Sequence, residues 1–120
     1  MNKLSILIPV FNEGNTIHLI LDKIKNVTLP LNISKEIIII NDCSTDKTSE
    51  NIKSYILKNQ ELSILLLEHD KNKGKGAALH YGIYKASGDY LIIQDADLEY
   101  DPEEYNILLK PVLDGYADVV

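Results

Sequence analysis

The sequence predicts one α/β domain over residues 1–120, a mostly parallel sheet with helices packed on both faces. Three observations lead there. Short continuous apolar runs recur at 4–10, 37–40, 64–67 and 90–93, and a strand covered on both faces needs apolar residues at consecutive positions. Between them lie stretches whose apolar residues repeat at helical spacing, so strands and helices alternate and right-handed crossovers join them. Every strand-like run also ends in a polar cluster, and in such sheets ligands bind beyond the carboxyl ends of the strands, where the strand order reverses.

The first run, 4–10, breaks at Pro9-Val10-Phe11-Asn12-Glu13-Gly14, after which Ile17, Ile20, Leu21 and Ile24 form one helical stripe with Asn15 or Thr16 placed to cap it. Pro30 closes that unit. The second run ends at Asn41-Asp42, Cys43-Ser44-Thr45-Asp46 supplies turn and cap chemistry, and Ile52, Tyr55 and Ile56 mark the next helix face. The third ends at Glu68-His69-Asp70 and leads into a positive loop, Lys71-Asn72-Lys73-Gly74-Lys75-Gly76. A helix is predicted over about 77–86, with Gly82 explained by close packing on the sheet and Gly88 as the C-terminal cap. After the fourth run, Asp101-Pro102-Glu103-Glu104 writes a helix start that Pro111 limits to roughly ten residues, and 115–120 reads as the opening of a fifth strand. Paired valines at the end suggest a fragment of something longer.

A net charge of -6 argues against nonspecific binding to nucleic acid, which relies on cations to displace phosphate counterions. All 12 basic residues are lysines, so without arginine an anion must be held by Lys, backbone N–H groups or a metal. The single cysteine, Cys43, excludes an internal disulfide and packs as a small apolar residue. No run approaches the roughly 18 apolar residues of a membrane span, so a cytoplasmic location without a transmembrane segment is expected.

The run at 90–99 is the centre of the chemistry. It ends in Asp95-Ala96-Asp97-Leu98-Glu99, two carboxylates with one small residue between them and a third acid nearby. From 89 to 104 the acids Asp89, Asp95, Asp97, Glu99, Asp101, Glu103 and Glu104 stand without a Lys or Arg. A hard divalent cation is the expected neutraliser, Mg²⁺ on one or two carboxylates plus ligand phosphates fitting best. A solvated acidic turn is the plainer reading of the same triplet. Asp42 leaves two readings open, an acceptor for a base or ribose edge or a turn partner of Ser44. Lys73-Gly74-Lys75-Gly76 could meet phosphate or base at a helix N-terminus, or be a solvated lysine loop. His18 and His80 fall within helices and His69 in a loop, and none is assigned a catalytic role. Neither G-x-x-x-x-G-K-[ST] nor a G-x-G-x-x-G after the first strand is present, which excludes a P-loop and counts against a dinucleotide oxidoreductase. A D-x-D-x-T phosphatase is disfavoured because the triplet follows the fourth strand and Glu99 stands in the threonine's place.

Taken in register, these segments resemble the family 2 glycosyltransferases of the GT-A fold, in particular the branch of polyprenyl- or dolichyl-phosphate mannosyl- and glucosyltransferases. Ser5-Ile6-Leu7-Ile8-Pro9-Val10-Phe11-Asn12-Glu13 looks like the family's first-strand signature and Ile39-Ile40-Asn41-Asp42-Cys43-Ser44-Thr45-Asp46 like its second. Asn72-Lys73-Gly74-Lys75-Gly76-Ala77-Ala78-Leu79 is similar to its third, and Gly88-Asp89-Tyr90 through Glu99 to its metal-binding segment. The resemblance implies a Rossmann-like, nucleotide-diphospho-sugar-binding domain. In it Pro9, Phe11, Asn12, Glu13 and Asp42 line the nucleotide pocket, with Lys73 and Gly74 beside the base. Asp95 and Asp97 meet metal and diphosphate, Ala96 adds backbone, and Glu99 is a further metal-site residue. Mg²⁺ or Mn²⁺ is the implied cofactor, a UDP- or GDP-sugar the donor, and a polyprenyl phosphate at the cytoplasmic face of a membrane the suggested acceptor. Transfer inverts the anomeric carbon. In the family the acceptor-side base lies beyond the position of Val120, so a nucleotide- and metal-binding fragment without turnover is the alternative.

Overall fold

The structure, a computed structural model, describes residues 3–29, 33–96, 102 and 105. Within these, strands β1 (Lys3–Val10), β2 (Ser34–Asn41), β3 (Ile64–Glu68) and β4 (Tyr90–Ile93) alternate with helices α1 (Ile17–Asn26), α2 (Thr48–Lys58) and α3 (Lys75–Lys85). All pairings are parallel, in the order β3-β2-β1-β4. The predicted helix start at 101–104 falls outside the described residues apart from Pro102, and the predicted strand at 115–120 lies outside them altogether.

That order explains the layers. The first two crossovers step outward from β1 to β2 to β3, whereas the third returns past β1 to β4, and a right-handed connection running the other way must pass over the opposite face. Accordingly Leu4, Ile6, Ile8 and Val10 of β1 and Ile37 and Ile39 of β2 meet Ile17, Ile20, Leu21 and Ile24 of α1 and Ile52 and Tyr55 of α2. Leu7, Ile38 and Ile40 face the other way, onto Ala78 and Tyr81 of α3. The consecutive apolar residues are thus shared between two cores, as strands covered on both faces require. No described helix is long and apolar enough to cross a membrane.

Local signals were met unevenly. Thr16 occupies the position before α1, but its hydroxyl bonds back to Glu13 and makes no cap bond into the helix. The far end of α1 is closed instead by Lys35 of β2, whose ammonium donates to the carbonyls of Ile24 (2.7 Å) and Val27 (2.6 Å). Asp46 caps α2 by accepting the N–H of Thr48 at 2.9 Å. Helix α3 starts at Lys75, two residues before the predicted 77, and Gly88 does not cap it: Ala86 closes the helix in extended conformation. Gly88 lies instead against β1, its N–H on Ser5 Oγ at 2.8 Å.

Gly82 is where α3 rests on the sheet. A Cβ there would lie 2.8 Å from Ile40 Cδ1 and 3.1 Å from Leu7 Cδ2, both fully buried side chains. Gly82→Ala gains about 1 kcal/mol of helix propensity but must push α3 off a packed sheet at about 1–3 kcal/mol. We expect a net loss of about 1 kcal/mol, read as a lower denaturation midpoint at unchanged slope.

Candidate functional site

Three strand tips align. Register pairs Val10 with Asn41 and Asn41 with Glu68, so β1, β2 and β3 release their chains at one level. The next residues turn sharply: Asn12 and Cys43 both adopt left-handed backbone, φ 54° and 57°. Asn tolerates this better than most residues, whereas for Cys it is a local strain of the kind gathered at ligand-binding edges. The two turns are stitched together. Asn12 Oδ1 accepts the Thr45 N–H at 2.7 Å, Asn12 N–H donates to Ser44 Oγ at 3.0 Å, and Ser44 N–H donates to Asn41 Oδ1 at 3.2 Å. Ser44 therefore turns on Asn41 and not on Asp42.

Asp42, 5 % exposed, is occupied elsewhere. Its Oδ1 lies 2.9 Å from His69 Nδ1 and accepts the Lys73 N–H at 2.8 Å, while Oδ2 accepts the Gly74 N–H at 2.8 Å. Burial opposes ionisation, but the N–H groups of Lys73, His69 and Gly74 outweigh it and hold the carboxyl below the ordinary carboxylate range. Gly74 takes φ 89°, where a side chain would be strained, and it turns the loop into the first turn of α3.

A cleft of about 390 Å³ opens between the tips of β1 and β4, the point at which the strand order reverses. It is lined by Pro9, Val10, Phe11 and Glu13 from the end of β1, Asp42 from the end of β2, Asp95 and Ala96 from beyond β4, and Lys75 and Ala78 of α3. Gln94 continues the ladder by donating its N–H to Leu7 O at 2.8 Å, which delivers Asp95 to the rim. The side-chain amide of Gln94 is buried and its Oε1 accepts the Tyr105 hydroxyl at 2.7 Å. Phe11 is 44 % exposed, an apolar ring left at the mouth.

The structure thus gathers five of the sequence-predicted nucleotide residues beside Asp42: Pro9, Phe11, Glu13, Asp95 and Ala96 all line this cleft. Asn12 serves the turn beneath it. Lys73 and Gly74 do not line it; their N–H groups belong to Asp42, and Lys73 borders a separate hollow with Glu68, His69, Asp70 and Tyr81. The predicted metal residues Asp97 and Glu99 lie outside the described residues. Lys75, read in the sequence only as part of the Lys73-Gly74-Lys75-Gly76 loop, is the lysine of the cleft, its ammonium 2.6 Å from Asp95 Oδ1. The acidic stretch lacks a cation of its own, but α3 brings one to it. The signal was the helix boundary: with α3 starting at Lys75, its first turn carries Lys75 and Ala78 to the sheet edge.

This doubly wound parallel sheet, with its cleft at the switch point, has the architecture of GT-A α/β domains, and solved glycosyltransferases superpose on it. The mannosyltransferase PcManGT from Pyrobaculum calidifontis, determined in complex with GDP-Man and Mn²⁺, matches 84 % of this chain and 29 % of its own at 26 % identity with a TM-score of 0.76. The chain belongs to glycosyl transferase family 2, whose sequence pattern matches residues 5–120. A Photorhabdus laumondii undecaprenyl-phosphate 4-deoxy-4-formamido-L-arabinose transferase is 33 % identical over 120 residues, covering 100 % of this chain and 36 % of its own. A dolichol-phosphate mannosyltransferase from Pyrococcus furiosus is 33 % identical over 117 residues, covering 94 % and 31 %. The chain therefore spans about a third of the length of the curated relatives it matches.

Proposed function

We propose that this chain is the donor-binding part of a glycosyltransferase that takes a sugar from a UDP- or GDP-linked donor, with a polyprenyl phosphate as acceptor. The observation that carries the reading is the cleft at the switch point, where Asp95 stands across from Lys75 and the start of α3. A nucleoside diphosphate is polyanionic, and the first turn of a helix offers it N–H groups and a positive dipole end. Lys75 adds a full charge there, and the exposed ring of Phe11 offers apolar surface to a base.

Of the carboxylates lining the cleft, Asp95 offers the oxygen that a hard cation takes, whereas Asp42 is committed to His69 and the loop amides; among the described residues no three acids, His or Cys come together to hold a metal ion by themselves. Asp95, with Asp97 and Glu99 following it in sequence, would hold Mg²⁺ or Mn²⁺, which supplies Lewis acidity toward the departing diphosphate. Transfer would invert the anomeric carbon. The acceptor oxygen bonds to the anomeric carbon as the bond to the diphosphate breaks, and an acceptor phosphate is already ionised near neutral pH. Binding without turnover is the second reading, which the release of nucleotide from a sugar donor tells apart from transfer.

Calorimetry of the 120-residue chain with UDP and GDP, with and without Mn²⁺, tests the reading. We expect Mn²⁺ to tighten one nucleotide at least about tenfold, near 1.4 kcal/mol, and Asp95→Ala to remove that gain. Equal affinity in Mn²⁺ and in EDTA would overturn it. Release of nucleotide from a matched sugar donor then separates transfer from binding alone.

A further inference from the structure

We propose that His69 is a positioning residue that acts through Asp42 to fix where α3 begins and so holds Lys75 in the cleft. His69 follows β3 and extends its ladder, donating its N–H to Asn41 O at 2.9 Å. Its side chain is only 8 % exposed, and it borders the second hollow instead of the cleft. It does not reach the proposed donor site itself.

Two contacts define the imidazole. Its ring stacks on Tyr81 of α3, centroids 5.4 Å apart and planes 7° from parallel. Its Nδ1 meets Asp42 Oδ1 at 2.9 Å, and because the Asp42 carboxyl is held ionised it can only accept, so Nδ1 carries the proton. The ring is therefore clamped by α3 on its face and donates at its edge to Asp42, the residue after β2.

The consequence lies one step on. The carboxylate that His69 holds is the one that receives the N–H groups of Lys73 and Gly74, the two residues before α3. The two loop amides hold both carboxylate oxygens, but they belong to the segment whose position is to be fixed, whereas the imidazole ties Oδ1 to the end of a paired strand. With the imidazole as a third donor from a packed strand end, the carboxylate becomes a fixed template. Lys75, the first residue of α3, then starts at a set place and reaches Asp95. The path runs Tyr81, His69, Asp42, the loop amides, Lys75. Strand pairing already implied it: with Asn41 opposite Glu68, the next pair in register is Asp42 and His69.

Two variants separate donation from packing. His69→Phe keeps a ring for Tyr81 and loses the donor; His69→Asn places an amide N–H close to where Nδ1 was and loses the ring. In the free chain, amide hydrogen exchange at Lys73 and Gly74 should accelerate about tenfold or more in His69→Phe and stay within about threefold of wild type in His69→Asn, with β1 and β2 amides unchanged in both. As far as the donor is concerned, the inference rests on the function proposed above, so the second readout is calorimetric affinity for UDP or GDP with Mn²⁺. We expect it to weaken about fivefold in His69→Phe and to be restored in His69→Asn. Unchanged exchange at Lys73 and Gly74 in His69→Phe, or equal acceleration in both variants, would overturn the proposal. The exchange arm contains no nucleotide, so failure of the wild type to bind either nucleotide would count against the donor site and leave the test of His69 intact. Should His69→Phe not fold, Tyr81→Leu, which removes the stack and keeps the imidazole, is expected to accelerate the same two amides. No acceleration there overturns the clamp.

Discussion

Replacing Asp42 with alanine is expected to lower stability by about 2–4 kcal/mol and to abolish measurable nucleotide binding at the cleft. The carboxylate gathers three donors from two other segments: the imidazole of His69 and the N–H groups of Lys73 and Gly74. Its loss strands the His69 donor against a packed strand end, which costs about 1–3 kcal/mol. The loop amides can turn to water at smaller cost, but α3 then loses its fixed start and Lys75 its position. The melting temperature should fall by roughly 10 °C or more. The same carboxylate also shapes the response to acid. Because it ionises more easily folded than unfolded, its contribution is complete above the unfolded value near 3.9 and is lost as pH falls through the lower folded one. Asp42→Asn, which presents an amide to the Gly74 N–H, should be less stable at neutral pH and should lose less on acidification. Denaturant titrations at pH 7 and pH 3 measure both; parallel losses in variant and wild type between the two would show that Asp42 carries no share of the acid sensitivity.

Gly88→Ala should be at least as damaging, about 3–5 kcal/mol, although the residue is far from the cleft. A Cβ on Gly88 would overlap Ser5 Oγ and sit 2.8 Å from Ser5 N and 2.9 Å from Lys3 O. Two of these atoms are backbone of β1 and cannot swing aside. The turn into β4 would have to lift away, breaking the Gly88 N–H bond to Ser5 Oγ (2.8 Å), the Asp89 N–H bond to Lys3 O (2.8 Å) and the Lys3 N–H bond to Asp89 Oδ2 (2.9 Å). Since β4 pairs with β1 from Tyr90 opposite Leu4, the damage passes along the strand to Asp95. Thermal melts with calorimetry at the cleft would show both losses together. A variant that melts with the wild type would mean that the turn can move without cost.

Most of the architecture was legible because it depends on which residues are apolar and where. The isoleucines of β2 and the stripe Ile17, Ile20, Leu21 and Ile24 read as a buried strand and an amphipathic helix, and both are so. What escaped depends on packing between segments. Gly88 looked like a helix stop, since a glycine after a helix suits a cap, but its role is to let two backbones approach, which local sequence does not encode. His69 looked like a loop residue because its partners, Asp42 and Tyr81, are distant in sequence. Lys75 was read as one of the loop's cations but not as the partner of Asp95, because that counter-charge comes from another element, where a count of neighbouring lysines could not find it.

The four isoleucines of β2 carry a consequence for the chain before it folds. Ile37, Ile38, Ile39 and Ile40 are at most 1 % exposed in the sheet, covered by helices on both faces and flanked by β1 and β3. Uncovered, the same β-branched, uncharged tetrapeptide is a strong template for intermolecular pairing. Its left neighbour β1 is synthesised first, but β3 and α3 emerge only later, so a nascent or destabilised chain exposes an adhesive strand until they dock. Glu36 and Asp42, one on each side of the run, stand where flanking charges oppose such pairing.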